Sequence, residues 1–105
     1  MSFSDYLENK ILAYTFSGTA FTPAATKYLA LYTVAPNDDG TGGTEISTSG
    51  TGYTRQTVAF TTTASQSSNT AAVEFSTALS SWGTVVAVGV LDASTSGNLY
   101  AVGTL

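Results

Sequence analysis

The run from Ser81 to Ala93 joins the only tryptophan of the chain, Trp82, to a continuous apolar stretch that ends at a polar turn. Between Thr84 and Leu91 valines fall on both faces of an extended segment. That is the pattern of a strand covered on each side, and Gly89 within it marks a bulge or a close backbone approach. Val86, Val88 and Val90 are therefore expected in the core, with Trp82 packed beside them because large aromatics dominate core packing. The chain has no histidine and no cysteine, so it has no obvious acid, base, nucleophile or metal ligand set. Function is expected in a surface rather than in a pocket.

A length of 105 residues suits one domain spanning residues 1–105, since a second core would need more chain. Hydrophobic residues make up 43% and charged residues 10%, too apolar for a disordered tail and too evenly punctuated for a membrane span. So little charge leaves a surface of hydroxyls, amides and apolar groups, which favours an assembled protein. The three cations, Lys10, Lys27 and Arg55, are scattered in a chain of net charge −4. No basic stripe exists to bind a nucleic acid. Residues 1–16 carry acids where a signal peptide carries cations, so the chain is expected to be made and kept in a cytoplasm.

Ser4 to about Phe16 is expected to be the one helix. Asp5 with Glu8 makes a capping-box-like start, acids occupy the first turn, and Leu7, Ile11 and Tyr14 share one face. A lone helix of about three turns is marginal in water. It must dock on its own sheet or on a partner, and those three residues are candidate contacts. Lys27 to Thr33 alternates as a strand, with Leu29 and Leu31 inward and Tyr28 and Tyr32 on the other face, as a second buried surface or as a contact ridge. Val34 to Gly52 keeps no period and reads as a long loop of about 34–52, a first suspect for contacts through Asn37, Asp38, Asp39 and Glu45. Those oxygens around Gly40 also invite a calcium reading, but their spacing does not match a calcium loop, and no metal is expected.

Tyr53 to Thr63 resumes alternation, with Val58 and Phe60 on the core face. A polar turn over residues 62–69 should lead to a strand carrying Ala71, Val73 and Phe75, which closes a hairpin. Another hairpin should join Thr84–Leu91 to Leu99–Leu105, and an edge strand still running at the end of the chain is normally paired or covered. The fold class expected is mainly β, an antiparallel sandwich or jelly-roll-like domain with one N-terminal helix. On these faces, Phe60→Ala, Phe75→Ala and Val88→Ala should each be damaging, the aromatic truncations by about 3–5 kcal/mol if fully buried.

The order of segments carries a resemblance. A Ser-Asp-Tyr-Leu-Glu-Asn-Lys helix is followed by Tyr-Leu-Ala-Leu-Tyr-Thr, Gly-Thr-Gly-Tyr-Thr-Arg-Gln and Asn-Thr-Ala-Ala-Val-Glu-Phe, then by Ser-Trp-Gly-Thr-Val and Gly-Val-Leu-Asp-Ala. This order resembles a family of small bacteriophage virion proteins described as tail-fibre-like, and it is also similar to capsid cement or decoration proteins. The resemblance spans essentially the whole chain. Members of that family continue past the Gly-Thr-Leu segment with a further turn and strand, so the last strand is expected to be cut short at Leu105.

The resemblance implies a virion structural protein without a cofactor. The expectation is a cement protein on the capsid surface that oligomerises and clamps neighbouring major capsid proteins, whose many weak contacts gain strength by multivalency. A tail or tail-fibre component is the alternative, because both roles need only a rigid β-platform with adhesive loops. A small carbohydrate-binding module is a further alternative, with Trp82 and the tyrosines stacking on sugar rings. An enzyme is not expected: Glu45, Glu74 and Asp92 have no context that would pair them as glycosidase carboxylates, and a hydrolase triad lacks its histidine.

Overall fold

Alternating and doubly apolar segments pair where their hydrogen-bonding edges are free, and here the pairing is antiparallel throughout. The computed structural model describes residues 2–105. Ser2–Phe3 (β1) precedes a helix, Asp5–Ser17 (α1), followed by Lys27–Val34 (β2), Thr44–Glu45 (β3), Gln56–Val58 (β4), Phe60–Thr63 (β5), Gln66–Asn69 (β6), Ala87–Leu91 (β7) and Leu99–Thr104 (β8). Six strands form one sheet in the order β1-β8-β7-β2-β3, with β4 also on β2, and β5 and β6 form a separate two-stranded sheet. The architecture is mainly β, antiparallel and sandwich-like, with a single helix.

α1 starts within a residue of the expected place, but the Asp5–Glu8 box does not cap it, because Asp5 is already its first helical residue and Glu8 lies one turn further in. Ser4 is its N-cap, accepting a hydrogen bond from the Leu7 N–H at 3.2 Å, and Gly18 ends it in the left-handed conformation. The Ser4 hydroxyl also donates to the Leu99 carbonyl, and its N–H donates to the Tyr100 carbonyl at 2.8 Å. One fully buried residue thus caps the helix and ties it to β8.

The β2–β7–β8 core is the best-covered part of the sheet. Ala30, Tyr32, Ala87, Leu91 and Leu99 form one cluster, with Val86 and Val102 packed against it. Cross-strand pairs put Leu29, Leu31, Val88, Val90 and Ala101 on the opposite face, joined at the sheet edge by Val58. Val58, Val90 and Ala101 are buried, whereas Leu29, Leu31 and Val88 are half-buried. The two faces of β2 therefore differ from expectation: Tyr32, only 7% exposed, is core, and Leu29 and Leu31 lie on the shallower face. Gly89, opposite Ala30, explains the room for a tyrosine ring. A Cβ there would lie 2.9 Å from Tyr32 Cε2 and 3.1 Å from Leu99 Cδ1. Gly89→Ala should overpack this layer and destabilise the protein by about 1–3 kcal/mol, measured as a lower urea midpoint.

β8 carries an irregularity. Leu91 pairs with Leu99 and Val90 with Ala101, so Tyr100 is an extra residue. Such a bulge breaks strict alternation, and Leu99, Tyr100 and Ala101 are all buried.

Three expectations change between Val34 and Ser76. The expected loop of about 34–52 contains β3, whose Glu45 pairs with Tyr32, and its neighbour Ile46 is buried and donates to the Leu31 carbonyl at 3.1 Å. Two residues are too few to show a period. The expected strand Tyr53–Thr63 divides at Ala59, with β4 in the main sheet and β5 leaving it. The hairpin then turns at Ala64 and Ser65 within the segment read as a loop, so β6 is Gln66–Asn69, while residues 71–76, with Val73 and Phe75, have no regular structure. Ala64 takes a φ of 55° without the Asn or Gly that usually signals such a turn. Phe60 is 38% exposed in this hairpin, and Phe60→Ala is accordingly expected to cost about 1 kcal/mol or less rather than a core-sized amount.

Candidate functional site

Arg55 and Glu45 meet below the β2 edge, where β3 and β4 bring together residues ten positions apart. Arg55 Nη2 and Nε donate to the two Glu45 carboxylate oxygens at 2.8 and 2.9 Å, and Arg55 Nη1 donates to the carbonyls of Ala93 and Ser96, each at 2.8 Å. The Tyr53 hydroxyl donates to Glu45 Oε2 at 2.6 Å and accepts the Leu31 N–H at 3.1 Å. Tyr53 is 1% exposed. Its ring lies against Phe75, stacked at 6.0 Å, and meets Trp82 edge-on at 5.6 Å, and Trp82 Nε1 donates to the Thr51 carbonyl at 2.8 Å. The cluster braces three connections: the 34–52 segment, the approach to β4, and the β7–β8 turn. Glu45, a candidate contact, is thus an internal brace, and the indole of Trp82, read also as a sugar platform, is tied to the same brace.

The electrostatics follow from that geometry. Burial pushes the Glu45 carboxyl up, but hydrogen bonds from Arg55 and Tyr53 and the charge of Arg55 outweigh it and hold it below the usual carboxylate range. Burial, then the bond to Glu45, pushes the Tyr53 phenol well above its ordinary value, and burial followed by the Glu45 charge raises Tyr32. A folded value above the unfolded one means that the stability is intact below pH of about 10 and falls as pH rises beyond it. Urea midpoints should therefore drop between neutral and strongly alkaline pH, and Tyr53→Phe should show a shallower drop. Identical slopes for the two proteins would contradict this.

The remaining candidates are distributed. Asp39 accepts from the N–H and hydroxyl of Thr41 at 2.9 and 2.5 Å, bonds that lower its carboxyl below the usual range, and Asn37 N–H donates to the Thr41 carbonyl at 2.9 Å. These bonds close a tight turn. The Asp38 carbonyl accepts the Asp5 N–H at 2.8 Å, which docks the turn on the start of α1. There the exposed carboxylates of Asp5, Glu8 and Asp38 come within 4.8 Å of one another, at a helix end whose dipole favours negative charge. Glu45, included in the calcium reading, is committed to Arg55 instead. Tyr28 is half-buried between β4 and β7.

α1 and the sheet face beneath it carry what the sequence did not signal. Tyr6 stacks on Tyr100 at 6.0 Å and meets Phe21 edge-on at 6.5 Å, yet no residue of α1 is buried. Leu7 is half-buried, Ile11 and Tyr14 are exposed, and so are Leu12 and Phe16, which fall outside the expected stripe. The β5–β6 hairpin stands off the face of Val58, Val90 and Ala101, leaving an open groove of about 1250 Å³ walled by Phe3, Leu7 and Phe60. A count of all apolar residues in α1 would have flagged the helix; nothing local announces the groove. Among the described residues no helix is long and apolar enough to cross a membrane.

A family model described as Podophage GP4 fiber I protein gp80 matches residues 2–105. No curated protein matches the chain.

Proposed function

The chain belongs to the podophage fiber I protein gp80 family, a family of small phage virion proteins, and from that membership we propose that it serves as a fibre-associated structural subunit whose work is adhesion rather than turnover. The observation that carries this reading, beside the family, is the apolar surface of α1, where Ile11, Leu12, Tyr14 and Phe16 all stand exposed on a weakly charged chain. Apolar surface gathered on one element marks a contact with another protein. The acids and tyrosines best placed to act chemically, Glu45 and Tyr53, are saturated by internal partners.

Antibody labelling of intact particles, viewed by cryo-electron microscopy, tests the location. Label on the tail fibres is the expected result. Label confined to the head would overturn it in favour of a cement role clamping the major capsid protein. Loss of particle integrity without loss of adsorption, in phage lacking the protein, would point the same way.

A further inference from the structure

α1 carries apolar side chains on every side. Tyr6 meets the sheet through Tyr100, Leu7 and Ile11 lie one turn apart on a second side, and Leu12 and Phe16 one turn apart on a third. Asp5, Glu8, Asn9 and Lys10 are interleaved with them, so α1 has no single polar face to leave toward water, and apolar ridges of this kind are normally covered. Instead none of its residues is buried, and Phe16 is 80% exposed. The groove has the complementary deficit. Its far wall, the β5–β6 hairpin, is exposed at every residue, and an isolated two-stranded hairpin is at best marginally stable in water.

The size of the deficit suits a protein-sized contact. The chain exposes 6479 Å², whereas a self-contained monomer of 10.8 kDa exposes about 5,500 Å² by the scaling of surface with mass. The excess of roughly 900 Å² is close to the ~800 Å² that each partner buries in a standard interface. A radius of gyration of 14.5 Å against about 13 Å for a compact domain of this length says the same. The groove exceeds the ~300–1,000 Å³ of small-molecule sites, and Lys27 is the only charged residue among the described residues that line it. An apolar, slightly acidic helix suits it, and this chain supplies one. Resting on the reading that the chain is an assembling subunit, we infer that the Leu12–Phe16 ridge of α1 in one copy seats in the groove of a second copy, between the sheet and the β5–β6 hairpin, and builds a homo-oligomer. Reciprocal contacts give a two-fold dimer; a one-way contact that closes gives a ring.

Sedimentation of the purified chain at micromolar concentration should read a whole multiple of 10.8 kDa. Leu12→Asp combined with Phe16→Asp should return it to the monomer mass with an unchanged circular dichroism spectrum, because both side chains are exposed in one copy. Leu79→Asp, at an exposed leucine outside both features, should leave the assembly intact. The chain has no cysteine, so Phe16→Cys protein can be mixed with mass-tagged Phe60→Cys protein and oxidised. Tagged-to-untagged disulfides should dominate, and should disappear when Leu12→Asp is added to the Phe16→Cys chain. A monomeric native protein, an assembly indifferent to the double aspartate variant, or cross-links no more abundant than those of Phe16→Cys with itself would each overturn the contact. Such a failure leaves the fibre location standing, and a head-only antibody label leaves the contact standing.

Discussion

Tyr53→Ala is expected to lower the unfolding free energy by about 4 kcal/mol or more, enough to leave a domain of this size close to unfolding. The ring is among the most buried large side chains, it stacks on Phe75 and meets Trp82, and its removal opens a cavity between segments that have no regular structure of their own. Its hydroxyl adds a separate contribution. It accepts the Leu31 N–H and donates to Glu45 Oε2, which without it is left with the Arg55 Nε donor alone. Tyr53→Phe keeps the ring and loses the hydroxyl, so it should cost only about 1–3 kcal/mol. Urea melts of the two variants separate the parts. Equal losses would mean that the hydrogen bonds, and not the packing, carry the site.

Arg55→Met should be the next most damaging change, by about 2–4 kcal/mol, below the usual range for breaking a fully buried pair because the Glu45 side chain keeps a quarter of its exposure. The loss has two sources: a carboxylate left without its cation, and the Ala93 and Ser96 carbonyls left without a donor. Pairing holds the Glu45 carboxyl below its unfolded value, so its contribution is complete above the unfolded value near pH 4 to 5 and disappears as pH falls through the lower, folded one. The native protein should therefore lose stability on acidification more steeply than Arg55→Met. Arg55→Met with Glu45→Leu should recover part of the loss, since two apolar groups leave no buried charge. A double variant no better than Arg55→Met would show that the carbonyl contacts dominate.

The helix, β2, β7 and the β7–β8 hairpin were legible from residue order. Ser4 and Gly18 bracket an apolar repeat, Lys27 to Val34 alternates, and the doubly apolar run into Leu91 meets a turn rich in Ser, Thr and Gly. Each signal lies within a few residues of what it determines. The β5–β6 hairpin was not legible in its register. Thr62 to Asn69 is polar enough to read as a turn, and only strand pairing makes it a ladder.

Depth of burial was decided elsewhere. A period of two says that Tyr28, Ala30 and Tyr32 share a face, but it cannot say which face lies deeper. That follows from Gly89, Ala87 and Leu99, on two other strands, leaving a slot for the Tyr32 ring. Glu45 looked free among loop acids because its partner, Arg55, reaches it only after β3 and β4 take places along the same edge of β2. Residue order by itself thus determined the β class, the helix, and the pairs that local periodicity can specify. The tertiary structure alone decided which tyrosines are core, which charges are neutralised and where the groove opens, because those depend on side chains brought together across the sheet by contacts with no trace in nearest-neighbour pattern.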